Sequence, residues 1–285
     1  MTHLYAEHTD ERITLYRGLL ELPLLTQQAA RDKRAYIHPI LAPDGIGELT
    51  ENQPRHHLWQ HGLYVGLNDI NGVGFWEEGL GSNRATDGSF HPQPLAAPVV
   101  SGSTASWEVV SEWRDPSGSA MLTEKQNWKL TDNGDTLVLN VGWTLTAAVD
   151  LRFGKYDYGG LFLRMPWRAV SGGSVLTSEG AVSTDTAEGQ RARWIALSMP
   201  IPGRPVGPAG IAFLDHPSNP GYPNPWRVDG GFGIVPSRSI AREWHLRAGA
   251  QSLNRYRLFI YTGAIDPSAV EAEWTRFASN ERTDT

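Results

Sequence analysis

Three runs of alternating apolar and polar positions follow one another in the middle of the chain. The first run covers residues 107–113 and ends at an Asp-Pro-Ser-Gly turn, after which the second covers residues 121–130. A further turn at residues 131–135 leads to the third run, 137–146, whose odd-numbered positions up to 145 are all apolar. Because side chains two apart lie on one face of a strand, this pattern predicts a meander of three antiparallel strands.

Shorter apolar runs recur elsewhere and are separated by segments rich in Gly and Pro. They lie at residues 62–67, 160–167, 193–199, 210–214 and 256–261. At the C-terminal end, Asp266 can cap a helix and Pro267 suits its first position, while Val270, Trp274 and Phe277 follow at helical spacing. The pattern predicts an all-β fold: one large antiparallel β-sandwich, of supersandwich or jelly-roll type, with a short C-terminal helix.

The composition narrows the architecture and the cellular setting. The 285 residues include 40% hydrophobic residues and 11 tryptophans, enough for one large core, so residues 1–285 are predicted to form a single domain. A mean hydropathy of -0.36 and the lack of a long apolar run argue against a membrane span. The net charge of -6 is dispersed, which argues against nucleic-acid binding. The N-terminus has no signal-peptide core, so we expect a cytoplasmic location.

The sequence also limits the cofactors. It contains no cysteine, so a metal would have to be held by His, Asp, Glu or carbonyl oxygen. The glycine-rich segments at 79–81 and 230–233 are not followed by a predicted helix, so we expect no nucleotide cofactor.

Three histidines, His56, His57 and His61, fall within six residues just before the apolar run at 62–67. His57 and His61 would share a face in an extended chain or in a helix, so we expect their imidazoles to be neighbours. Clustered titratable groups beside a core are typical of functional sites. His57 and His61 are therefore candidate catalytic residues, and His56 and Trp59 are candidate substrate-binding residues. The alternative interpretation is a set of hydrogen-bonded structural histidines.

Glu124 lies on the apolar face of the second run of the meander, which it shares with Leu122 and Trp128. Burial of a carboxylate is costly unless it is paired, and it raises the pKa toward the range of a general acid or base. Glu124 is therefore a candidate catalytic residue. The alternative is a structural role, for example in an ion pair with Arg164.

His38 and His216 each precede a proline. Because proline restricts the backbone of the residue before it, each histidine would be held rigidly and could face a ligand. His216 is a candidate catalytic residue. The loop that follows is rich in aromatic and amide side chains, which suit sugar recognition by stacking and hydrogen bonding. The candidate substrate-binding residues of these segments are His38, Asp215, Asn219, Trp226 and Arg227.

Four motifs occur in the order YIHPILAPDG, HHLWQHGLYVGLNDINGVGFWEE, TEKQNW and AFLDHPSNPGYPNPWRV. Over residues 34–262 they resemble a β-rich family that carries the name PmoA, borrowed from methane monooxygenase. Members of that family are encoded near Gfo/Idh/MocA-type sugar oxidoreductases, which implies glycoside breakdown with a sugar dehydrogenase as functional partner. The resemblance alone adds Asn71 to the substrate-binding candidates. The shared polar positions that it implies are His38, His56, His61, Asn71, Glu124, Asp215, His216 and Asn219.

The favoured hypothesis is a carbohydrate-active enzyme that cleaves a C–O bond of a 3-keto-glycoside by β-elimination. A ketone acidifies the adjacent C–H, so that one base and one acid suffice. Glu124 or a histidine would remove the proton and another histidine would protonate the departing oxygen. Arg164, or a divalent metal held by His and Glu, would stabilise the enolate. Two alternatives stay open: an aldose-epimerase-like isomerase and a non-catalytic carbohydrate-binding module.

Overall fold

The computed structural model describes residues 3–18, 23–81, 85–168 and 172–279, which form two large antiparallel sheets around a shared apolar core. The strands of the first sheet are β1 (Leu4–Thr9), β2 (Arg12–Arg17), β3 (Pro23–Gln28), β4 (Tyr36–Ile40), β5 (Leu63–Ile70), β6 (Val73–Phe75), β12 (Leu151–Phe153), β13 (Gly160–Arg164), β17 (Trp226–Val228), β18 (Gly233–Pro236) and β19 (Trp244–Leu246). The strands of the second sheet are β7 (Ser89–Pro92), β8 (Val99–Ser101), β9 (Thr104–Arg114), β10 (Ala120–Asp132), β11 (Thr136–Ala147), β14 (Ser174–Thr177), β15 (Trp194–Met199), β16 (Ala209–Asp215) and β20 (Gln251–Thr262). The all-β sandwich predicted from the sequence is confirmed.

The meander forms as predicted, with β10 paired antiparallel to β9 and to β11; the register with β9 shifts between Ala120 and Leu122. Gln126 in the central strand β10 pairs with Val109 of β9 on one side and with Trp143 of β11 on the other. The ladder continues from β11 to β20, which is 12 residues long. The predicted run at 256–261 is therefore only part of a strand. Buried and less buried side chains alternate over residues 251–255, and these residues extend the pairing with β11.

In the first sheet, strand order places β5 and β13 side by side in the middle. The described path runs β1-β2-β3-β4-β5-β13-β18-β17, with β6, β12 and β19 joined at the side of β5. Leu63 and Val65 of β5 face the core between the sheets, whereas Tyr64 lies on the opposite, outer face. This alternation decides which side chains can meet a ligand, because only the outer face is accessible.

The C-terminal helix α3 (Pro267–Ser279) also forms as predicted, while α1 (Thr184–Ala187) and α2 (Arg238–Ala241) are single turns. The Asp266 carboxylate caps α3 by accepting the backbone N–H groups of Ser268 and Ala269 at 2.9 and 3.2 Å. Val270 and Phe277 pack on the outer face of the second sheet. None of the helices in the described ranges is long and apolar enough to cross a membrane.

Candidate functional site

The outer face of the first sheet carries aromatic side chains where an antiparallel sheet facing solvent would carry polar ones. Tyr64 of β5 and Phe162 of β13 are buried there with Trp76 and Val235, as a cluster separate from the main core. The ring centroids of Trp76 and Phe162 lie 5.2 Å apart, and those of Tyr64 and Phe162 lie 5.4 Å apart. These four side chains are at most 4% exposed, so the cluster forms a small second core on this face of the sheet.

A cavity of about 420 Å³, cavity 1, opens over this aromatic cluster. One side of it is aromatic, and the ring centroids of Trp76 and Tyr158 there are 4.5 Å apart. The lining also includes polar and charged side chains. The lining residues are His56, His57, Trp59, Gln60, Trp76, Glu77, Tyr158, Phe162, Arg164, Arg227, Asp229, Gly230 and Gly231.

Arg164, at the end of β13, is a buried cation in the floor of cavity 1 with only 3% of its side chain exposed. Its Nη2 hydrogen-bonds with Nε2 of His56 at 3.0 Å. Carboxylate oxygens of Glu51 and Asp229 stand 3.5 and 3.7 Å away, beyond a short hydrogen bond. The guanidinium is therefore charge-compensated but loosely held, so it has N–H groups to offer a ligand.

Several buried polar atoms of the residues around cavity 1 have no hydrogen-bond partner within the described ranges. They are Nδ1 of His57, Nε1 of Trp59, Oε1 of Gln60 and Oε2 of Glu77. Native proteins leave few such groups, since each one costs about 1–3 kcal/mol. These atoms include donors and acceptors, and the residues that carry them all line cavity 1.

The pKa of His57 is lowered, first by burial and then by electrostatic interaction with His56 and with the Arg164 guanidinium. The ring is therefore neutral at pH 7 and keeps one nitrogen lone pair available. Its ring contacts Trp59 edge-on at 5.3 Å between centroids, which holds the imidazole in place. His57 can accept a proton from a ligand in this cavity.

His61 lies elsewhere, because residues 55–59 form turns rather than one extended or helical segment. The prediction that His57 and His61 lie on one face is therefore wrong: they line two different cavities. Nε2 of His61 hydrogen-bonds with Glu78 at 2.8 Å, and Nδ1 with Oδ1 of Asn52 at 2.8 Å. This second cavity, cavity 2, has a volume of about 410 Å³.

His38 and Asn71 line neither cavity 1 nor cavity 2. Nδ1 of His38 hydrogen-bonds with the Thr50 hydroxyl at 2.9 Å, and burial lowers its pKa to about 4. Asn71 occupies a turn, where it donates to the carbonyl of Asp150 at 2.9 Å and accepts from the backbone N–H of Arg152 at 2.8 Å. Their observed contacts hold loops together.

Glu124 lies between the sheets, 3% exposed, and lines neither cavity. The carboxylate accepts from Nε1 of Trp113 at 3.1 Å and from Nε2 of Gln126 at 2.9 Å. Burial raises its pKa to about 7, although these hydrogen bonds oppose the shift. The suggested ion pair with Arg164 is not formed, since Arg164 instead stands beside Glu51 and Asp229.

The loop that begins at Asp215 is packed against the second sheet and helix α3. Asp215 is fully buried, with its pKa raised to about 6 by burial, and its carboxylate accepts from Asn219 at 2.7 Å and from the Asn224 backbone at 3.1 Å. The His216 ring packs on Phe277 at 4.8 Å.

Farther along the same segment, Trp226 is buried in the main core and donates to the carbonyl of Ala192 at 2.9 Å. Arg227 reaches cavity 1 and pairs with Glu188 at 2.8 Å. Of the candidates in this segment, only Arg227 joins His56, His57, Trp59 and Arg164.

Sequence reasoning missed the carboxylates of both cavities. Glu77 lines cavity 1 and Glu78 lines cavity 2, directly after the buried Trp76. The signal that could have found them is a pair of adjacent acids at the end of an apolar run. Asp229, in the Gly-rich turn before β18, accepts the backbone N–H groups of Gly231 and Gly233 at 2.8 and 2.9 Å.

The described ranges contain no group of three or more His, Asp or Glu side chains arranged to hold a metal ion. The divalent metal considered from the sequence therefore has no ligand set among these residues. His56 and His57 contact each other at 4.8 Å between ring centroids, and Arg164 occupies the space beside them.

Comparison with protein families matches residues 8–275 to the model described as a family of unknown function, DUF6807. This match does not carry the PmoA name, so that part of the resemblance is not confirmed. No curated protein matches the chain.

Among solved structures, similar chains include the alpha-galactosidase from Lactobacillus brevis, with 15% identity, a TM-score of 0.41, and coverage of 98% of this chain and 43% of that one. A galactose mutarotase related enzyme from Lactobacillus acidophilus has 8% identity, a TM-score of 0.38, and coverage of 93% and 99%. The GH36 alpha-galactosidase AgaA from Geobacillus stearothermophilus has 10% identity, a TM-score of 0.39, and coverage of 92% and 41%. This chain thus spans less than half of each alpha-galactosidase, and at these scores none of their activities is transferred to it.

Proposed function

Since the chain belongs to this family of unknown function, its activity has to be derived from its own residues, and we propose that cavity 1 binds a sugar and acts on it by acid–base chemistry. The observation that carries the proposal is the group of unpartnered polar atoms on His57, Trp59, Gln60 and Glu77. A ligand rich in hydroxyl groups, each both a donor and an acceptor, would satisfy all four.

The aromatic side of cavity 1 supports a sugar over other polar ligands. Pyranose rings present C–H surfaces that stack on aromatic faces while their hydroxyls bond at the rim. Trp76 and Tyr158 provide aromatic surface of this kind, and Arg164 and Asp229 also line the cavity. The volume of about 420 Å³ lies within the range of small-molecule sites, roughly 300–1,000 Å³.

For the reaction we propose β-elimination from a glycoside whose ring carries a ketone. The neutral His57 removes the proton on the carbon beside the ketone, and the electron pair moves into an enolate. The Arg164 guanidinium stabilises the enolate oxygen through its N–H groups. As the enolate collapses, the C–O bond at the β carbon breaks, and His57 returns its proton to the departing oxygen. The products are an enone and an alcohol, so that atoms and charge balance.

The test is turnover of a 3-keto-glycoside by the purified protein, followed by the ultraviolet absorbance of the enone. The His57→Gln variant is expected to lose about 10²–10⁴-fold in kcat, the usual contribution of a positioned acid–base group. His245→Gln is the matched control, because His245 is 62% exposed and lies outside cavity 1.

Sugar binding is measured separately, through the fluorescence of Trp59 and Trp76. Binding without an enone product would contradict β-elimination but leave the sugar site. Interconversion of anomers without an enone would favour the isomerase. If neither ordinary glycosides nor keto-glycosides change the tryptophan fluorescence at millimolar concentration, the sugar site itself is excluded.

A further inference from the structure

Cavity 2 lies on the other side of the two loops that border cavity 1. In one loop Gln60 lines cavity 1 and His61 lines cavity 2, and in the other Glu77 lines cavity 1 and Glu78 lines cavity 2. Arg34 holds both loops by donating to the backbone carbonyls of Trp59 and Trp76. The two cavities are therefore neighbours with nearly equal volumes and separate linings.

The charges in the wall of cavity 2 are already compensated. The Glu78 carboxylate lies 2.8 Å from Nε2 of His61 and 3.5 Å from the Arg34 guanidinium. Burial favours a raised pKa for Glu78, but Arg34 and His61 outweigh it and lower the pKa to about 2, so that the carboxylate stays ionised. Farther out, Lys33 and Asp32 add one charge of each sign. This balance suits a neutral polar ligand better than an anion.

The wall also offers the two kinds of contact that a sugar uses. The rings of Tyr36 and His61, which both line the cavity, stack face over face at 4.7 Å with an interplanar angle of 20°, so that each ring covers one face of the other. The amides of Gln28 and Gln53 line the cavity as further donors and acceptors. Arg34 is 2% exposed, and among the residues that the structure describes its Nε has no hydrogen-bond partner.

The backbone at Glu78 is in the left-handed region, with φ of 52°. Outside glycine this conformation costs of order 1–3 kcal/mol and is concentrated at functional sites. Here it turns the Glu78 carboxylate away from cavity 1, where Glu77 points, and toward His61. A simpler turn would leave His61 without its charged partner.

We propose that cavity 2 is a second binding site, separate from cavity 1, for a neutral sugar ring that lies against the Tyr36–His61 pair and hydrogen-bonds with Arg34 and the two glutamines. This inference goes beyond the proposed function, since it does not require chemistry in cavity 1. The chain would then hold two sugar units at once, one on each side of the loops at 57–61 and 76–78.

The test is a titration of the full chain with methyl glucoside, followed by nuclear magnetic resonance. The indole N–H of Trp76 reports on cavity 1, and the ring of His61 reports on cavity 2. In the wild type we expect both signals to shift. In Ala30→Trp, which places an indole in cavity 2 without removing any of the contacts above, the affinity at His61 should fall at least tenfold while the Trp76 titration is unchanged.

Ala97→Trp is the matched control, because Ala97 is exposed and lines neither cavity. A shift at Trp76 with none at His61, or equal His61 affinities in the wild type and Ala30→Trp, overturns the second site and leaves cavity 1 standing. A shift at His61 with none at Trp76 supports cavity 2 and contradicts the sugar site in cavity 1. If the His61 signal shifts with sulfate and not with methyl glucoside, cavity 2 is an anion site and the proposal is overturned.

Discussion

Two buried arginines occupy equivalent positions on the outer faces of the two sheets, but their surroundings differ. Arg257 of β20 donates to Asn140 at 2.6 Å and to Glu273 of helix α3 at 2.7 Å, and it stacks over Phe277. Arg164 of β13 makes one hydrogen bond, to His56 at 3.0 Å, while its carboxylate neighbours stand at 3.5 and 3.7 Å. Among the described residues, the polar neighbours of Arg164 come from loops rather than from a helix. Arg164 lies in the floor of a cavity instead.

The comparison shows how burial with full pairing differs from burial that leaves hydrogen bonds for a ligand. On the second sheet, α3 supplies the partners of the buried polar groups, and that face is closed. On the first sheet, unpartnered atoms of His57 and Glu77 accompany Arg164. Burial of a charged residue therefore does not by itself indicate a site, and the presence or absence of matched partners has to be considered with it.

The largest expected effect tests the function of Arg164. Arg164→Gln should reduce kcat/KM on the 3-keto-glycoside by about 10²–10³-fold, or about 3–4 kcal/mol, because the enolate loses its cationic donor. The measurement is steady-state kinetics together with a thermal unfolding curve. A loss of activity fully explained by loss of folded protein would place Arg164 with Arg257 as a structural residue.

The second prediction tests the outer face of the second sheet, which helix α3 covers. Glu273→Ala should lower the free energy of unfolding by about 3 kcal/mol, since it leaves Arg257 buried without its carboxylate. Urea denaturation measures it. Glu108→Ala on strand β9 is the control: its partner Lys125 is 46% exposed, so the loss of that pair should cost less than about 1 kcal/mol. Equal losses of unfolding free energy in the two variants would contradict the difference between buried and exposed ion pairs.

The smallest effect concerns Glu124, which is buried between the sheets. Its pKa is raised from 4.5 to about 7, so the folded state holds a proton that the unfolded state releases. Stability from this group is therefore full below pH 4.5 and is lost as the pH rises to 7, by on the order of 2–3 kcal/mol. Glu124→Gln should remove this dependence.

The measurement for Glu124 is the difference in unfolding free energy between wild type and Glu124→Gln across pH 4.5 to 8. Asp215, with its pKa raised to about 6, shifts stability in the same direction in both proteins and so cancels in the difference. A difference that does not change with pH would show that Glu124 is ionised in the folded state throughout.

The candidate site was only partly predictable, because segments that line cavity 1 and segments that do not have similar sequence patterns. The segments at 56–61 and 215–219 both place histidines beside apolar runs and polar neighbours. In the structure, His57 is left with an unpartnered nitrogen at a cavity, whereas Asp215 is surrounded by the amides of Asn219 and Asn224. Whether a polar group is left without a partner or is fully hydrogen-bonded depends on residues far away in the chain, and the periodicity of the sequence does not contain that information.

The sequence by itself determined the all-β sandwich, the meander of β9, β10 and β11, and the capped helix α3, because alternation, turns and caps act between residues close in the chain. Only the tertiary structure decided that His56, His57, Trp59, Arg164 and Arg227 meet in cavity 1. It also placed His61 with Glu78 in cavity 2 and put Glu124 in the core. These groupings join residues up to 171 positions apart, from His56 to Arg227, through the pairing of β5 with β13 and of β13 with β18. Such pairings depend on the packing of the whole sheet, which is why no local pattern could predict them.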